Sequence, residues 1–510
     1  MLIKALILKM MNSKASNIFF YTFLLLYAVF LVYLCFALNI WEDESYTLNT
    51  TSHGFSEVVR LSYTFEGQPP VYFLLMAAWR TISADIIFAK FFSILCIAIA
   101  ALILHKLTIE ISGNKNNHWM LVIFLLNPFT VWAALEIRLY AFMILLSVAA
   151  IYNFICYYKY NSKPALFTFL ILALIGAYTQ YFFTLLVAAL ACSLLLYKGW
   201  KSFFILCLYL LPVVLLFLPN FLYIQMQVHM HQQTTAPIPF KEIVNDMFRS
   251  PQNFLLALHI APFNRWGRWL IKTVVVISLL IAYYNLYRNR NSDNDVFFKI
   301  INTLLFATGI LFIFYSVVFT IEQLTFAGRY LTIIFPLIII WFLLLNTLKP
   351  VFKNLIFAGC ALYFVYLLYT YYKIPVKDYD YKKLAGYIQE IEQPNEPIVF
   401  YSSQLALPFS SYYKGGHQIV PLPNKLTFDS NYISNVKDTF VLKNSLKAKV
   451  QNAASFLFIS NDFDAIQLNR NMNRPMIDSF LNSHFNKVSD TFYYGRSKTR
   501  YLRIRRFVLK

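Results

Sequence analysis

The sequence predicts an α-helical polytopic membrane protein of about eleven transmembrane helices, with extracytoplasmic loops and a small C-terminal α/β domain. Two observations carry the membrane part. Hydrophobic residues make up 59% of the 510 and charged residues 13%, about half the charged share of a soluble domain. Unbroken apolar runs near residues 18–38, 87–104, 119–135, 139–157, 165–179, 181–197, 203–222, 269–287, 299–320, 330–347 and 354–372 are long enough to cross a bilayer as helices, whereas barrel strands would alternate. A third observation, the change of composition after residue 373, carries the α/β domain. There "EPIVFYSS", "ASFLFIS" and "TRYLRIRRFVLK" are strand-like, between helix-compatible segments such as "YDYKKLAGYIQEIEQ".

The first run is followed by no small-x-small cleavage site and reads as an uncleaved anchor. Between the later runs, cations alternate by loop. Lys4, Lys9 and Lys14, then Lys106 and Lys115, Lys159 and Lys163, Lys198 and Lys201, Arg288, Arg290 and Lys299, and Lys349 and Lys353 share one side. The short loops of the other side hold little besides Arg138 and Arg329. The positive-inside rule therefore predicts a cytoplasmic N-terminus. Parity then places residues 39–86, 223–268 and 374–510 outside, giving a transmembrane domain over 1–373 and an extracytoplasmic domain over 374–510. The outer loops are long enough to be functional.

Net charge is +20, yet the cations lie between apolar runs and in the C-terminal third, where they serve topology and lipid headgroups. No nucleic-acid partner is expected. Cys35, Cys96, Cys156, Cys192, Cys207 and Cys360 fall within or at the ends of apolar runs and imply no disulfide framework. No GxGxxG or Walker A motif is present. Nucleotide-activated donors are cytoplasmic, so an enzyme working outside needs its activated group on a carrier that crosses the membrane.

Parity gathers several polar clusters on the outer side. They are Glu42, Asp43 and Glu44 in "WEDES", Glu66 and Gln68 in "FEGQPPVYF", Glu136, Arg138 and Tyr140 in "ALEIRLYAF", Gln180 and Tyr181 in "GAYTQYFF", and Arg329 and Tyr330 in "FAGRYLTIIFP". Charge at membrane depth is costly and tends to face a cavity or a partner. Each cluster alone also fits a span end meeting water, but Glu136 and Arg138 sit in a tight turn that Ser or Asn would serve as well. Two arginines suit a phosphate or pyrophosphate through bidentate bonds. The acids suit proton abstraction from a hydroxyl nucleophile or a divalent ion.

At these residues the chain resembles the GT-C superfamily of integral-membrane glycosyltransferases, in the branch of the protein O-mannosyltransferases, the aminoarabinose transferase of lipid A and the sugar transferases of bacterial envelope glycans. The resemblance rests on "WEDESYTL", "EGQPPVYFLLMAAW", "NPFTVWAALEIRLYAFMILL", "GRYLTIIFPLII" and "KDYDYKKLAGYIQEIEQPNEPIVFYSS", in order over roughly residues 15 to 405. It implies transfer of a monosaccharide from a polyprenyl-phosphate donor to an envelope glycan, lipid or protein hydroxyl, in a bacterial inner (cytoplasmic) membrane. It further implies Asp43 as base with Glu44 its acidic neighbour, Glu66 as a second acid near a metal or the acceptor, and Arg138 and Arg329 on the donor phosphate. Gln68, Glu136, Tyr140, Gln180, Tyr181 and Tyr330 would line the cavity.

Gln68 and Gln180 stand where relatives often carry histidine, and glutamine is a poor metal ligand that shuttles no protons. A divalent metal is thus an open possibility, with Glu66, His229 and His231 as weak candidates. The basic run "GRSKTRYLRIRRF" is expected either to face headgroups or to form a solvated edge strand with Tyr501, Arg503 and Arg505 on one face. The rival readings are a transporter or flippase of a lipid-linked anion, and a ligase moving a whole oligosaccharide.

Overall fold

The computed structural model describes residues 13–114, 118–225, 240–290, 295–321, 328–401, 403–427, 438–450, 453–461, 473–496 and 501–510. The chain forms two compact units. The first holds Met1–Cys35, Gln68–Tyr72 and Ser83–Tyr371; the second holds Phe36–Gly67, Phe73–Ile82 and Tyr372–Lys510.

The first unit is a helical membrane bundle. Among the described residues, seven helices are long and apolar enough to cross a membrane: Phe20–Ala37, Ile86–Ser112, Tyr140–Tyr160, Gly199–Phe217, Arg265–Arg288, Asp295–Thr320 and Pro350–Tyr372. Shorter apolar helical segments at Lys163–Ala177, Phe183–Leu196 and Leu331–Thr347 take up further predicted runs. Local chemistry sets the ends. Asp85 caps Ile86–Ser112 by accepting from Ile87 N at 2.6 Å, and Gly113 ends it at φ +69°, a left-handed position that glycine takes without strain. Ser162 and Asn264 cap Lys163–Ala177 and Arg265–Arg288 in the same way as Asp85.

The run at 119–135 differs from expectation. It breaks into Trp119–Leu126 and Pro128–Ala134, because Pro128 has no N–H to continue the ladder and Asn127 caps the second piece by accepting from Phe129 N at 2.9 Å. The Asn127 amide also donates to the Phe254 carbonyl at 2.7 Å, tying this break to the helix Phe240–Leu256. The run at 330–347 is tightened by 3-10 turns at Gly328–Ile333 and Trp341–Thr347 around the helix Phe335–Ile340, which is buried throughout.

The second unit joins the segments Phe36–Gly67 and Phe73–Ile82 to the C-terminal residues. Its sheet comprises β1 (Ile398–Tyr401), β2 (Ile419–Pro421), β3 (Ser455–Asn461), β4 (Phe485–Tyr494) and β5 (Tyr501–Leu509), in the order β2-β1-β3-β5-β4. β1 pairs in parallel with β2 and β3, while β5 runs antiparallel between β3 and β4. The two-residue period sorts the side chains into two cores. Ile398, Phe400, Leu457, Ile459, Leu502 and Ile504 pack with the helix Tyr381–Ile391 on one face, and Val399, Phe456, Phe458 and Phe507 pack with Leu442, Leu446 and Leu481 on the other. Cover on both faces explains why all seven residues of β3 are buried.

The basic run corrects the edge-strand expectation: β5 is interior and β4 is at the edge. Arg503 forks onto Asp490, Arg505 (4% exposed) bonds Asp478 and lies over the Phe458 and Phe507 rings, and Arg506 bonds Glu396. These cations are held within the domain because a strand buried on both sides accepts charge only with partners. Lys498 and Arg500 lie outside the described residues.

Candidate active site

Within the first unit, a cavity of about 360 Å³ is lined by Pro128, Phe129, Trp132, Asn253, Phe254, His259, Ile260, Arg329 and Tyr371. The break at Asn127 and Pro128 builds one wall by turning the short helix Pro128–Ala134 off the preceding axis. Its rings interlock: Phe129 lies 4.7 Å from Phe254 and 5.4 Å from Trp132, centroid to centroid. Trp132 in turn meets Tyr140 at 4.8 Å, so Tyr140 supports the wall from behind. Arg329 brings a guanidinium to this aromatic lining, from a 3-10 turn that packs against the helix Tyr140–Tyr160. An apolar cavity lined in part by an arginine suits an anion carried on a hydrocarbon chain. Tyr330 lies in the same turn.

Glu136 and Arg138 occupy the connection between Pro128–Ala134 and Tyr140–Tyr160, as their sequence context predicts. Glu136 is 1% exposed, and its carbonyl accepts from Ser93 Oγ at 2.6 Å. Arg138 is half-buried. One turn before Ser93 on the same helix, Lys90 is 1% exposed and donates to the Cys35 carbonyl at 3.1 Å. Sequence reading missed Lys90, although a lone cation inside the run at 87–104 was the available signal. The lining residues Asn253, Phe254 and His259 carried no such signal.

Gln68 and Gln180 belong to this unit too. Val71 N donates to the Tyr178 carbonyl at 3.1 Å, which joins the segment after Gln68 to the turn before Gln180. The Oε1 atoms of both glutamines are buried without a hydrogen-bond partner. Tyr181 lies next in the turn, its ring 6.3 Å from Phe217.

The second unit holds the acids. Glu42, Asp43 and Glu44 form the first turn of the helix Glu42–Thr50, where the helix dipole favours negative charge. Glu44 is fully buried; one oxygen accepts from Trp41 N at 3.2 Å and the other meets Lys377 Nζ at 2.8 Å. Asn39 locks Lys377 in place: its Oδ1 accepts from Lys377 N at 2.8 Å, and its Nδ2 donates to the carbonyls of Lys377 and Tyr379 at 3.1 and 2.6 Å. The Tyr381 hydroxyl donates to Glu42, and Ile40 N donates to the Tyr412 hydroxyl at 2.8 Å. The far end of the helix is held by Arg80, whose Nη1 donates at 2.6 Å both to the Leu48 carbonyl and to Thr51 Oγ1. Glu66 accepts from Thr50 Oγ1 at 3.2 Å. Asp43, between the two anchored glutamates, is half-buried.

Among the described residues no three His, Cys, Asp or Glu side chains converge as a metal site requires. His229 and His231 lie outside the described residues.

No protein-family model and no curated protein sequence matches the chain. Solved structures do. The chain is similar to ArnT from Cupriavidus metallidurans in the apo state, with a TM-score of 0.60 and 11% identity over 95% of this chain and 98% of that one. The same protein bound to undecaprenyl phosphate gives a TM-score of 0.56 at the same identity and coverage. The likeness shows a shared polytopic membrane fold over nearly the whole of both chains.

Proposed function

We propose that this chain is a membrane glycosyltransferase that moves a monosaccharide from a polyprenyl-phosphate donor to an acceptor hydroxyl on the outer face of the cytoplasmic membrane. The observation that carries the reading is Arg329 lining an aromatic cavity within a bundle of helices apolar enough to cross a membrane. The likeness to a protein of the same fold bound to undecaprenyl phosphate supports it. The acceptor is an envelope glycan, lipid or protein.

In this reading the acceptor oxygen attacks the anomeric carbon as Asp43 takes its proton. The bond from that carbon to the phosphate oxygen breaks, the phosphate leaves with the electron pair, and the configuration inverts. Charge grows on the phosphate during this step, so guanidinium groups fixed in advance at Arg138 and Arg329 stabilise the transition state more than the ground state. Glu44 acts on Asp43 through the helix: its bonds to Trp41 and Lys377 fix the turn that carries the base. Glu42 is anchored to Tyr381 in the same turn.

Reconstitution with a labelled polyprenyl-phosphate sugar tests the proposal. A new glycoside is the expected product, whereas vectorial movement of intact donor would indicate a transporter. Asp43→Asn keeps the shape and removes the base, and transfer should fall by roughly 10²–10⁴-fold. Wild-type transfer by a folded Asp43→Asn protein would remove Asp43 from the mechanism.

A further inference from the structure

We propose that Gln68 and Gln180 form a neutral amide subsite that takes the hydroxyl groups of a monosaccharide, the sugar part of the lipid-linked donor; the proposal rests on the transfer reading above. Both side-chain oxygens are buried without a hydrogen-bond partner, and Gln180 is only 2% exposed. Buried acceptors are costly to leave unmade, and native chains leave few. Two on neighbouring segments need a reason.

The bond from Val71 N to the Tyr178 carbonyl at 3.1 Å joins the two segments, three residues after Gln68 and two before Gln180. Neither segment relaxes easily. Pro69 and Pro70 stiffen the first. In the second, Gln180 N donates to the Gly176 carbonyl at 2.9 Å and its own carbonyl accepts from Phe183 N at 3.0 Å. A Cβ on Gly176 would stand 2.2 Å from the Phe183 ring, so this tight packing needs glycine. Tyr178 pins the turn by donating to the Leu216 carbonyl at 2.6 Å. The backbone of Gln180 is thus satisfied and fixed, and only its side chain awaits a partner.

The chemistry of the two amides selects the ligand. Each presents one acceptor oxygen and two donor hydrogens. Phosphate oxygens only accept, so a stranded acceptor does nothing for them; the arginines serve that group. A cation would want carboxylates, and a buried ammonium would want a counter-charge, which an amide lacks. A sugar hydroxyl donates and accepts at once and matches both faces of an amide. The division of labour is therefore arginine for the phosphate and glutamine for the sugar ring.

The test measures binding separately from transfer, using the full chain in nanodiscs. The probes are undecaprenyl phosphate and its glucosyl, galactosyl, mannosyl and arabinosyl derivatives. Wild type should bind at least one glycosylated lipid about tenfold tighter than the bare lipid, which is about 1.4 kcal/mol. The Gln68→Leu/Gln180→Leu protein should lose that increment, keep its affinity for the bare lipid, and melt no lower than wild type, since leucine strands no polar atom. The proposal is overturned if the double variant keeps the increment, if no glycosylated probe exceeds the bare lipid, or if the variant melts lower, as it would if the amides held structural water. A sugar increment without any transfer would sink the glycosyltransferase reading and leave the subsite standing. Transfer without an increment would do the reverse.

Discussion

The helix Glu42–Thr50 and the turn 176–183 are both short segments next to apolar helices, and they treat their polar groups in opposite ways. In the first, Glu42 and Glu44 are each tied to a named partner from the C-terminal residues, and Asn39 spends its amide on the same junction. In the second, the N–H and carbonyl of Gln180 are both bonded within the turn while its side-chain oxygen is stranded. A charge-rich segment can therefore be mostly framework, and a segment without any charge can hold the open valence. Number of charges is a poor guide to where a ligand goes; unsatisfied hydrogen-bonding capacity is a better one.

Breaking the framework side should have the largest effect. Lys377→Met leaves Glu44 buried with its main counter-charge gone, and should destabilise the second unit by about 3–5 kcal/mol, read as a lower unfolding midpoint in detergent. An unchanged midpoint would mean the pair is not what holds the acidic helix. On the cavity side, Arg329→Met should lower the midpoint less than Lys377→Met does and cut transfer by roughly 10²–10³-fold, the size of one lost oxyanion contact. Equal losses of stability in both variants would erase the contrast. A smaller effect sharpens it: Gly176→Ala pushes a methyl into the Phe183 ring and should cost about 1–3 kcal/mol. It should also lower sugar-dependent binding by displacing Gln180.

Most of the fold could be read from the sequence, because span length is a strong constraint on a chain in lipid. The strands at Ile398–Tyr401, Ser455–Asn461 and Tyr501–Leu509 also fall on the expected runs. What composition could not convey was partnership. The arginines of β5 look like surface charge until Asp490, Asp478 and Glu396 are placed beside them. Glu44 is an acid beside a candidate base in the sequence, and a buried ion-pair anchor in the structure. Lys90 was hidden by its own apolar run, and the break at Asn127 and Pro128 by the hydrophobicity on either side of it. Those two residues alone, a cap and a proline, were the sign that the run at 119–135 would turn and make a cavity wall.

The smallest effect concerns Asp490, which lies among partners as Glu44 does but nearer to solvent. Arg503 donates to it twice, at 2.8 and 2.7 Å, and Lys487 adds a third bond at 2.8 Å. The Arg503 bonds, then Lys487, hold this carboxyl well below the usual aspartate range despite some burial. A carboxylate with a depressed native pKa stabilises the fold above its unfolded value near 3.9 and loses that contribution as pH falls toward the native one. Stability of the second unit should thus decline below about pH 4 with a slope that Asp490→Asn makes shallower. At neutral pH the same change should cost about 1 kcal/mol or less, because the group is part-exposed and screened. If the variant and wild type fall in parallel between about pH 4 and pH 2, the cluster on β4 and β5 behaves as solvated charge. The ordering of framework groups by burial, Glu44 above Asp490, would then lose its lower member.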